Sequence, residues 1–387
     1  MTDQRSNHLL LKDNPTGQGL ILAGLGLLGL GAVMVYSASA GGTAGGSWAA
    51  RQEIRHLIYT AIAVGVLGLL WRVDYRWLIR GGAIGVPATA LFVVAFILSV
   101  IVLIPGIGTE INGARRWLRI PLGAYELSFQ PSELLKIALV ILLACWLGRR
   151  RETIGSFTRT FLPAALLVGA CVGVVVVEDF GTGAVIGLVA GCVLLAAGVR
   201  WYHLLLLVPP AVGGFVVLVV MNANRWQRIA ALRNPWDNTA ATWQLRQSLI
   251  AIGSGGWWGK GLGNGTIKLG FLPEDRTDFI FSVICEELGF AGGAMVLGLF
   301  GLLVGLCWIA ASRARGVGRL LATGVGLLVG VQAALHVAVT LGCAPPTGVN
   351  LPLVAAGGTS LILVAAALAL VVSVTAHDGA AADEDLA

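Results

Sequence analysis

Ten apolar runs separated by polar connections leave this 387-residue chain few architectures to choose from. A run of about 20 apolar residues crosses roughly 30 Å of hydrocarbon as a helix, and in lipid every backbone polar group must find its partner inside the protein. The runs fall near 19–38, 54–71, 82–104, 131–147, 160–177, 182–199, 203–221, 280–306, 319–340 and 351–374. The expected fold class is an all-α polytopic membrane protein with about ten transmembrane helices and a large loop between the seventh and eighth. Charged residues make up only 12% of the chain, far below the roughly 25% of a soluble domain. The formal charge of +6 therefore reads as topology signals and surface anchors, not as a nucleic-acid footprint.

Orientation follows from where the arginines stand. Arg72, Arg76 and Arg80 follow the second run, Arg149, Arg150, Arg151 and Arg159 the fourth, Arg200 the sixth, and Arg313, Arg315 and Arg319 the eighth. These are alternate connections, so a cytoplasmic amino terminus puts all of them inside, as the positive-inside rule prefers. The same choice makes the loop between runs seven and eight extracytoplasmic. The division expected is a cytoplasmic tail over 1–18, a membrane domain over 19–374 and a second cytoplasmic tail over 375–387. Met1 to Gln18 has no alanine-type cleavage site after a short apolar region, so targeting falls to the first permanent span. The six cysteines are widely spaced, without zinc-like spacing, and read as small buried hydrophobes. Gly181-Thr182-Gly183, Gly259-Lys260 and Gly263-Asn264-Gly265 complete no nucleotide-binding motif.

Most of the polar chemistry lies between Asn222 and Gly289. Arg225, Arg228, Arg233 and Arg246 suit phosphate oxygens, and Trp226, Trp236, Trp243, Trp257 and Trp258 suit either sugar faces or the lipid interface. An anionic, lipid-linked sugar needs cationic groups for phosphate and a carboxylate near the acceptor hydroxyl. Glu274, Asp275 and Asp278 supply carboxylates. Asp278, immediately before Phe279-Ile280-Phe281, reads either as a helix cap or as a base at the water–lipid boundary, where partial desolvation raises proton affinity. On a continuous helix, Asp278 and Glu286 share a face, and Glu286 with Glu287 reads as a structural network. Glu133 and Lys136, three apart at a membrane mouth, read either as a packing pair or as part of the reaction cavity. Asp179 reads as a cap for the following helix or as support at the outer mouth, and Gln332 with His336 as an interior pair.

The residues Asn112-Gly113-Ala114-Arg115-Arg116-Trp117, Phe129-Gln130-Pro131-Ser132-Glu133 with Lys136, Asp179-Phe180-Gly181-Thr182, Asn234-Pro235-Trp236, Gln247 to Gly256, Leu272-Pro273-Glu274 with Thr277-Asp278-Phe279, and Glu286-Glu287-Leu288-Gly289 stand in one order. In that order they resemble the FtsW/RodA/SpoVE (SEDS) family across almost the whole membrane region. The resemblance implies a peptidoglycan glycosyltransferase that polymerises lipid II into β-1,4-linked glycan outside the cytoplasmic membrane, beside a class B penicillin-binding protein and other divisome proteins. The family's catalytic Asp falls on Asp278, its Pro-Glu acid on Glu274, and its Glu and Lys on Glu133 and Lys136. Substrate contacts are expected from Arg115, Arg116, Gln130, Ser132, Asp179, Arg225, Gln244, Arg246, Lys268 and Thr277. A divalent cation such as Mg2+ or Mn2+ is an auxiliary expectation, since no metal cage is written in the sequence.

Departures fall at Trp243-Gln244, at Glu178 before Asp179-Phe180-Gly181, and at Ala355-Ala356-Gly357-Gly358-Thr359-Ser360, where the family more often carries Tyr-Gln, Pro and Ser-Tyr-Gly-Gly-Ser-Ser. These touch substrate contacts and partner preference. The segment around Gly261-Leu262-Gly263 and Lys268 leans towards the division branch and hence the septum. An elongation synthase of the RodA type, or a lipid II flippase, is the competing reading.

Overall fold

The computed structural model describes residues 11–39, 52–81, 84–111, 113–122, 125–237, 240–267, 272 and 274–384. Its helices are α1 (Pro15–Ser39), α2 (Gln52–Leu70), α3 (Val86–Ile101), α4 (Pro131–Leu147), α5 (Leu162–Val176), α6 (Phe180–Ala197), α7 (Trp201–Leu205), α8 (Val208–Val220), α9 (Ala223–Arg233), α10 (Ala240–Gly255), α11 (Ile280–Arg313), α12 (Gly316–Thr340) and α13 (Thr359–Glu384). Among the described residues, eight helical stretches are long and apolar enough to cross a membrane, so the chain is a multi-pass membrane protein. The count is eight and not ten because the helices of two expected runs are short, α3 stopping inside its run and α4 keeping its expected bounds. α3 has 16 residues and ends ahead of Pro105-Gly106, while α4 has 17 and carries Glu133 and Lys136 in its opening turns.

α4 is the axis of the bundle. Every residue from Leu135 to Leu147 is buried, as expected of a helix that is apolar on all sides. α3, α6, α12 and α13 pack around it, and α11 lies along α12, α1 and α10. The buried Glu133 and Lys136 therefore sit among helices, at the end where α4 begins.

The all-α expectation needs correction between α3 and α4. Thr109–Ile111, Ala114–Leu122 and Tyr125–Phe129 form β1, β2 and β3 of an antiparallel sheet in the order β1-β2-β3. Glu110 stands opposite Arg115, and Leu118 opposite Phe129. The Asn112-Gly113 pair is the hairpin signal that the span-by-span reading passed over; Gly113 has φ +75°.

A second departure lies in α11. Gly289 breaks it with φ +69° and ψ −166°, and the segment after α10 docks into the break. Lys260 and Gly261 donate their backbone N–H groups to the carbonyls of Glu286 and Glu287 at 3.0 Å, while Phe290 and Ala291 donate to those of Gly256 and Trp257 at 2.8 and 3.1 Å. Backbone groups freed by a broken membrane helix are thus satisfied by protein. A Cβ on Gly289 would lie 2.4 Å from the Gly259 nitrogen, so the seam closes only over glycine.

Candidate active site

A cavity of about 410 Å³ opens at the end of the bundle where α4 and α11 begin. Its walls come from α2 (Arg55, His56, Tyr59), from β2 (Arg116, Trp117, Arg119), from Gln130, from Arg228 on α9, from Glu274, Thr277 and Asp278, and from the segment carrying Gly348 and Asn350. Six stretches of the chain thus meet around one cavity that holds both Glu274 and Asp278.

Local backbone chemistry fixes the Asp278 carboxylate. The Glu274 carbonyl accepts the N–H groups of Thr277, Asp278 and Phe279 at 3.3, 3.1 and 3.3 Å, winding 274–279 into a tight turn. Glu274 takes φ +58°, a left-handed conformation that costs a non-glycine residue about 1–2 kcal/mol. Such strain persists only where the surroundings enforce it, and it gathers at functional sites. The Ala356 N–H donates to the Arg276 carbonyl at 2.9 Å, locking the turn to the segment before α13. α11 begins with Phe279 as its cap residue and no side-chain cap bond. Asp278 therefore does not spend its carboxylate capping that helix.

The electrostatics around Asp278 are balanced between opposed charges. Its carboxyl is pushed up to about 7, chiefly by burial in the cleft wall and then by Glu274 and Asp179, while Arg116 and Arg228 pull it back. Asp275 is raised to about 6, again mainly by burial, with Arg276 opposing. Burial, reinforced by Arg116, lowers the Arg228 guanidinium below its usual value, and Asp278 and Asp179 act the other way. A Cβ on Gly348 would come 2.9 Å from Arg116 Nη1 and 3.7 Å from Asp278 Oδ2. Gly348 thus allows the guanidinium and the carboxylate to flank one strip of backbone.

Arg116 is held rigidly. Its Nε and Nη2 donate to the Glu178 carbonyl at 2.9 and 2.6 Å, and Nη1 lies 3.6 Å from Asp179 Oδ2. Asp179 both caps α6, accepting the Thr182 N–H at 3.0 Å, and faces Arg116. Arg228 Nη1 donates to the Pro346 carbonyl at 3.1 Å. Gln130 lines the cavity and its amide donates to Ser132 Oγ at 3.1 Å; Thr277 Oγ1 donates to Glu274 Oε2 at 3.0 Å.

Other expected site residues lie elsewhere. Glu133 and Lys136 are not on the cavity wall but buried beside it. Lys136 Nζ donates to Glu133 Oε1 at 2.7 Å and to Gln332 Oε1 at 3.0 Å, and Ser360 Oγ donates to Glu133 Oε2 at 2.5 Å. Gln332 in turn donates to the Asn350 carbonyl at 3.0 Å, and His336 Nδ1 contacts the Val349 carbonyl at 2.8 Å. The network joins α4, α12 and α13 to the cavity segment at Asn350. Arg115 pairs with Glu110 at 3.2 Å. Arg225 donates to the Val177 carbonyl at 2.8 Å. Arg246 lies over the Trp243 ring at 5.0 Å, and neither it nor Gln244, both on α10, lines the cavity. Lys268 lies outside the described residues.

Glu286 does not share the cleft with Asp278, because the latter precedes the helix. It accepts Lys260 Nζ at 2.6 Å, the Thr266 N–H at 2.9 Å and Thr266 Oγ1 at 2.8 Å; Glu287 accepts Ser37 Oγ at 2.6 Å and the Gly263 N–H at 3.1 Å. The acidic pair thus clamps the docked segment. Sequence reasoning passed over Arg55, His56 and Tyr59; their signal is three polar or amphipathic side chains in the opening turns of an otherwise apolar run.

A family model described as a cell cycle protein, FTSW_RODA_SPOVE, matches residues 18–379. The chain belongs to the FtsW/RodA/SpoVE family. It is 38% identical over 366 residues to the probable peptidoglycan glycosyltransferase FtsW of Aromatoleum aromaticum, covering 92% of this chain and 87% of that one. The stage V sporulation protein E of Bacillus subtilis is 36% identical over 373 residues, covering 92% and 96%. Among solved structures, a chain from a peptidoglycan synthase complex that coordinates polymerization and crosslinking superposes with a TM-score of 0.73 at 28% identity, covering 92% and 96%. The rod shape determining protein RodA of Thermus thermophilus superposes with 0.64 at 29%, covering 92% and 95%. The chain is therefore a multi-pass SEDS protein with the fold of the peptidoglycan glycosyltransferases, in the machinery of cell-wall synthesis, division and shape.

Proposed function

We propose that this SEDS protein polymerises lipid II on the outer face of the cytoplasmic membrane, with Asp278 as general base. The observation that carries the reading is the placement of Asp278: free of capping duty, raised to about 7, and facing Arg116 and Arg228 across one cavity. A base poised near the working pH is the efficient choice for proton transfer. Asp278 takes the proton of the acceptor's N-acetylglucosamine 4-hydroxyl as that oxygen attacks C1 of the donor glycan. The bond from C1 to the diphosphate oxygen breaks, and the polyprenyl diphosphate departs with the electron pair. Arg116 and Arg228 stabilise that developing charge, and Asp179 keeps Arg116 in place.

Among the described residues no group of three or more His, Cys, Asp and Glu side chains assembles to hold a metal. A divalent cation carried in on the diphosphate would find Asp278 and Glu274 as its protein oxygens and need the phosphates for much of its remaining shell. Glu133 and Lys136 position the Asn350 segment and do not touch substrate. The FtsW-type relatives and Gly261-Leu262-Gly263 favour septal synthesis with a class B penicillin-binding protein as partner, both termini being cytoplasmic. Reconstituting the full chain with purified lipid II, with and without that partner, tests the reading. Glycan polymer is expected; lipid II moved between leaflets with no polymer formed would replace the synthase by a flippase.

A further inference from the structure

The end of the bundle opposite the cleft carries its own cavity. α4 and α11 run away from the cleft and α12 returns towards it, and where they turn a chamber of about 300 Å³ is lined by Gly148, Ile154, Ala197, Arg315 and Arg319. Beneath it an apolar groove of about 250 Å³ runs along the helices, walled by Cys192 on α6, Val304, Cys307 and Trp308 on α11, and Ala322 and Gly326 on α12. The two adjoin, since Ala196 lines both and Arg319 lies one turn of α12 from Thr323. Small side chains at Ala196, Ala322 and Gly326 keep the floor of the groove low.

We propose that this pair of cavities is a site for one anionic phospholipid, its phosphate in the chamber beside Arg315 and Arg319 and an acyl chain in the groove. Charge complementarity selects the occupant. Arginine forks suit phosphate oxygens, and a groove without charged side chains suits a hydrocarbon tail. The depth also fits: Arg319 to Leu327 spans about 12 Å of helical rise, close to one leaflet of a core roughly 30 Å thick. Arginines at this end are accounted for by topology, but the groove that opens directly below them is not. Trp308, 70% exposed at the groove's rim, faces the position a tail would take. The site shares no residue with the cavity around Asp278 and stands apart from the reading of that cavity.

The full chain in phosphatidylcholine nanodiscs, titrated with phosphatidylglycerol brominated on its acyl chains, tests the site through the emission lost by the parent but not by Trp308→Phe. Saturable quenching by the anionic lipid is expected, and at most shallow, non-saturating quenching by brominated phosphatidylcholine. Taking about 1 kcal/mol per arginine near a membrane surface, removing both charges in Arg315→Gln/Arg319→Gln weakens half-saturation by about 30-fold. Arg315→Lys/Arg319→Lys retains most of the affinity, and Thr323→Phe, which fills the groove, removes the saturable phase. Equal quenching by the two lipids in the parent overturns the proposal and leaves the groove as a seat for bulk lipid or a partner's transmembrane helix. Competition by inorganic phosphate with no effect of Thr323→Phe overturns it in favour of a free-anion site.

Discussion

At the scale of the residue, everything turns on how Asp278 holds its proton. Burial, Glu274 and Asp179 raise its carboxyl to about 7 while Arg116 and Arg228 oppose them, so the basic form grows in as pH rises through about 7. Polymerisation of lipid II is expected to rise along the same limb. Arg228→Gln removes a charge that lowers this carboxyl, and the limb should move to higher pH; a limb unmoved in a pH–rate profile would separate Arg228 from the base. Asp278→Asn should cut turnover by roughly 10²–10⁴-fold, measured on correctly inserted protein. Stability runs the other way. A carboxyl raised in the folded state contributes stability fully below its unfolded value near 4 and loses it as pH rises through about 7. Asp278→Asn should therefore melt higher than the parent at pH 8 and not at pH 4, a stability–activity opposition that a structural cap would not show.

At the scale of the element, two seams hold the cavity in shape. Lys136, Glu133, Gln332 and Ser360 tie α4 to α12 and α13 and reach the cavity through the Asn350 carbonyl. Lys136→Ala leaves Glu133 buried without its cation, at a cost of roughly 3–5 kcal/mol. It should lower both melting temperature and turnover, and pairing it with Glu133→Gln should recover part of the melting temperature; full parental turnover for Lys136→Ala at matched protein level would confine the pair to packing. The second seam is the break in α11. Gly289→Ala forces a Cβ against the Gly259 backbone and should expose the 256–261 amides to hydrogen exchange while α4 stays protected. These seams also mark the limit of the sequence. Hydropathy is a local property, so the membrane runs and their order could be read directly; Gly289 inside Glu-Glu-Leu-Gly looked like helix because only the docked segment reveals its φ. The β1–β3 sheet was missed for the same reason, its strands lying in what hydropathy counts only as a connection. Asp278 and Glu274 were marked as candidates by the neighbouring motifs Leu272-Pro273-Glu274 and Thr277-Asp278-Phe279. Arg55, His56 and Tyr59 were not, because only packing brings the start of α2 to a turn more than 200 residues later.

At the scale of the whole molecule, the cavity around Asp278 and the chamber beside Arg315 occupy opposite ends of one bundle. The ends differ in chemistry as well as position. Arg72, Arg80, Arg149, Arg150, Arg200, Arg313, Arg315 and Arg319 lie in or beside the connections at the chamber end, where α2, α4, α6 and α11 finish. The cleft end presents opposed carboxylates and arginines together with Trp236 and Trp243. Because positive charge in short connections resists translocation, the arginine-rich end is expected inside and the cleft outside, where a lipid-linked acceptor and a growing strand can reach Asp278. Trp236, 63% exposed, and the exposed Arg72 are suitable reporters. In a chain with its native cysteines replaced, Trp236→Cys should react with an impermeant maleimide in intact cells, and Arg72→Cys only after the membrane is opened. Labelling of position 72 with protection of position 236 would invert the molecule and put the base on the side where no extracytoplasmic strand could be extended.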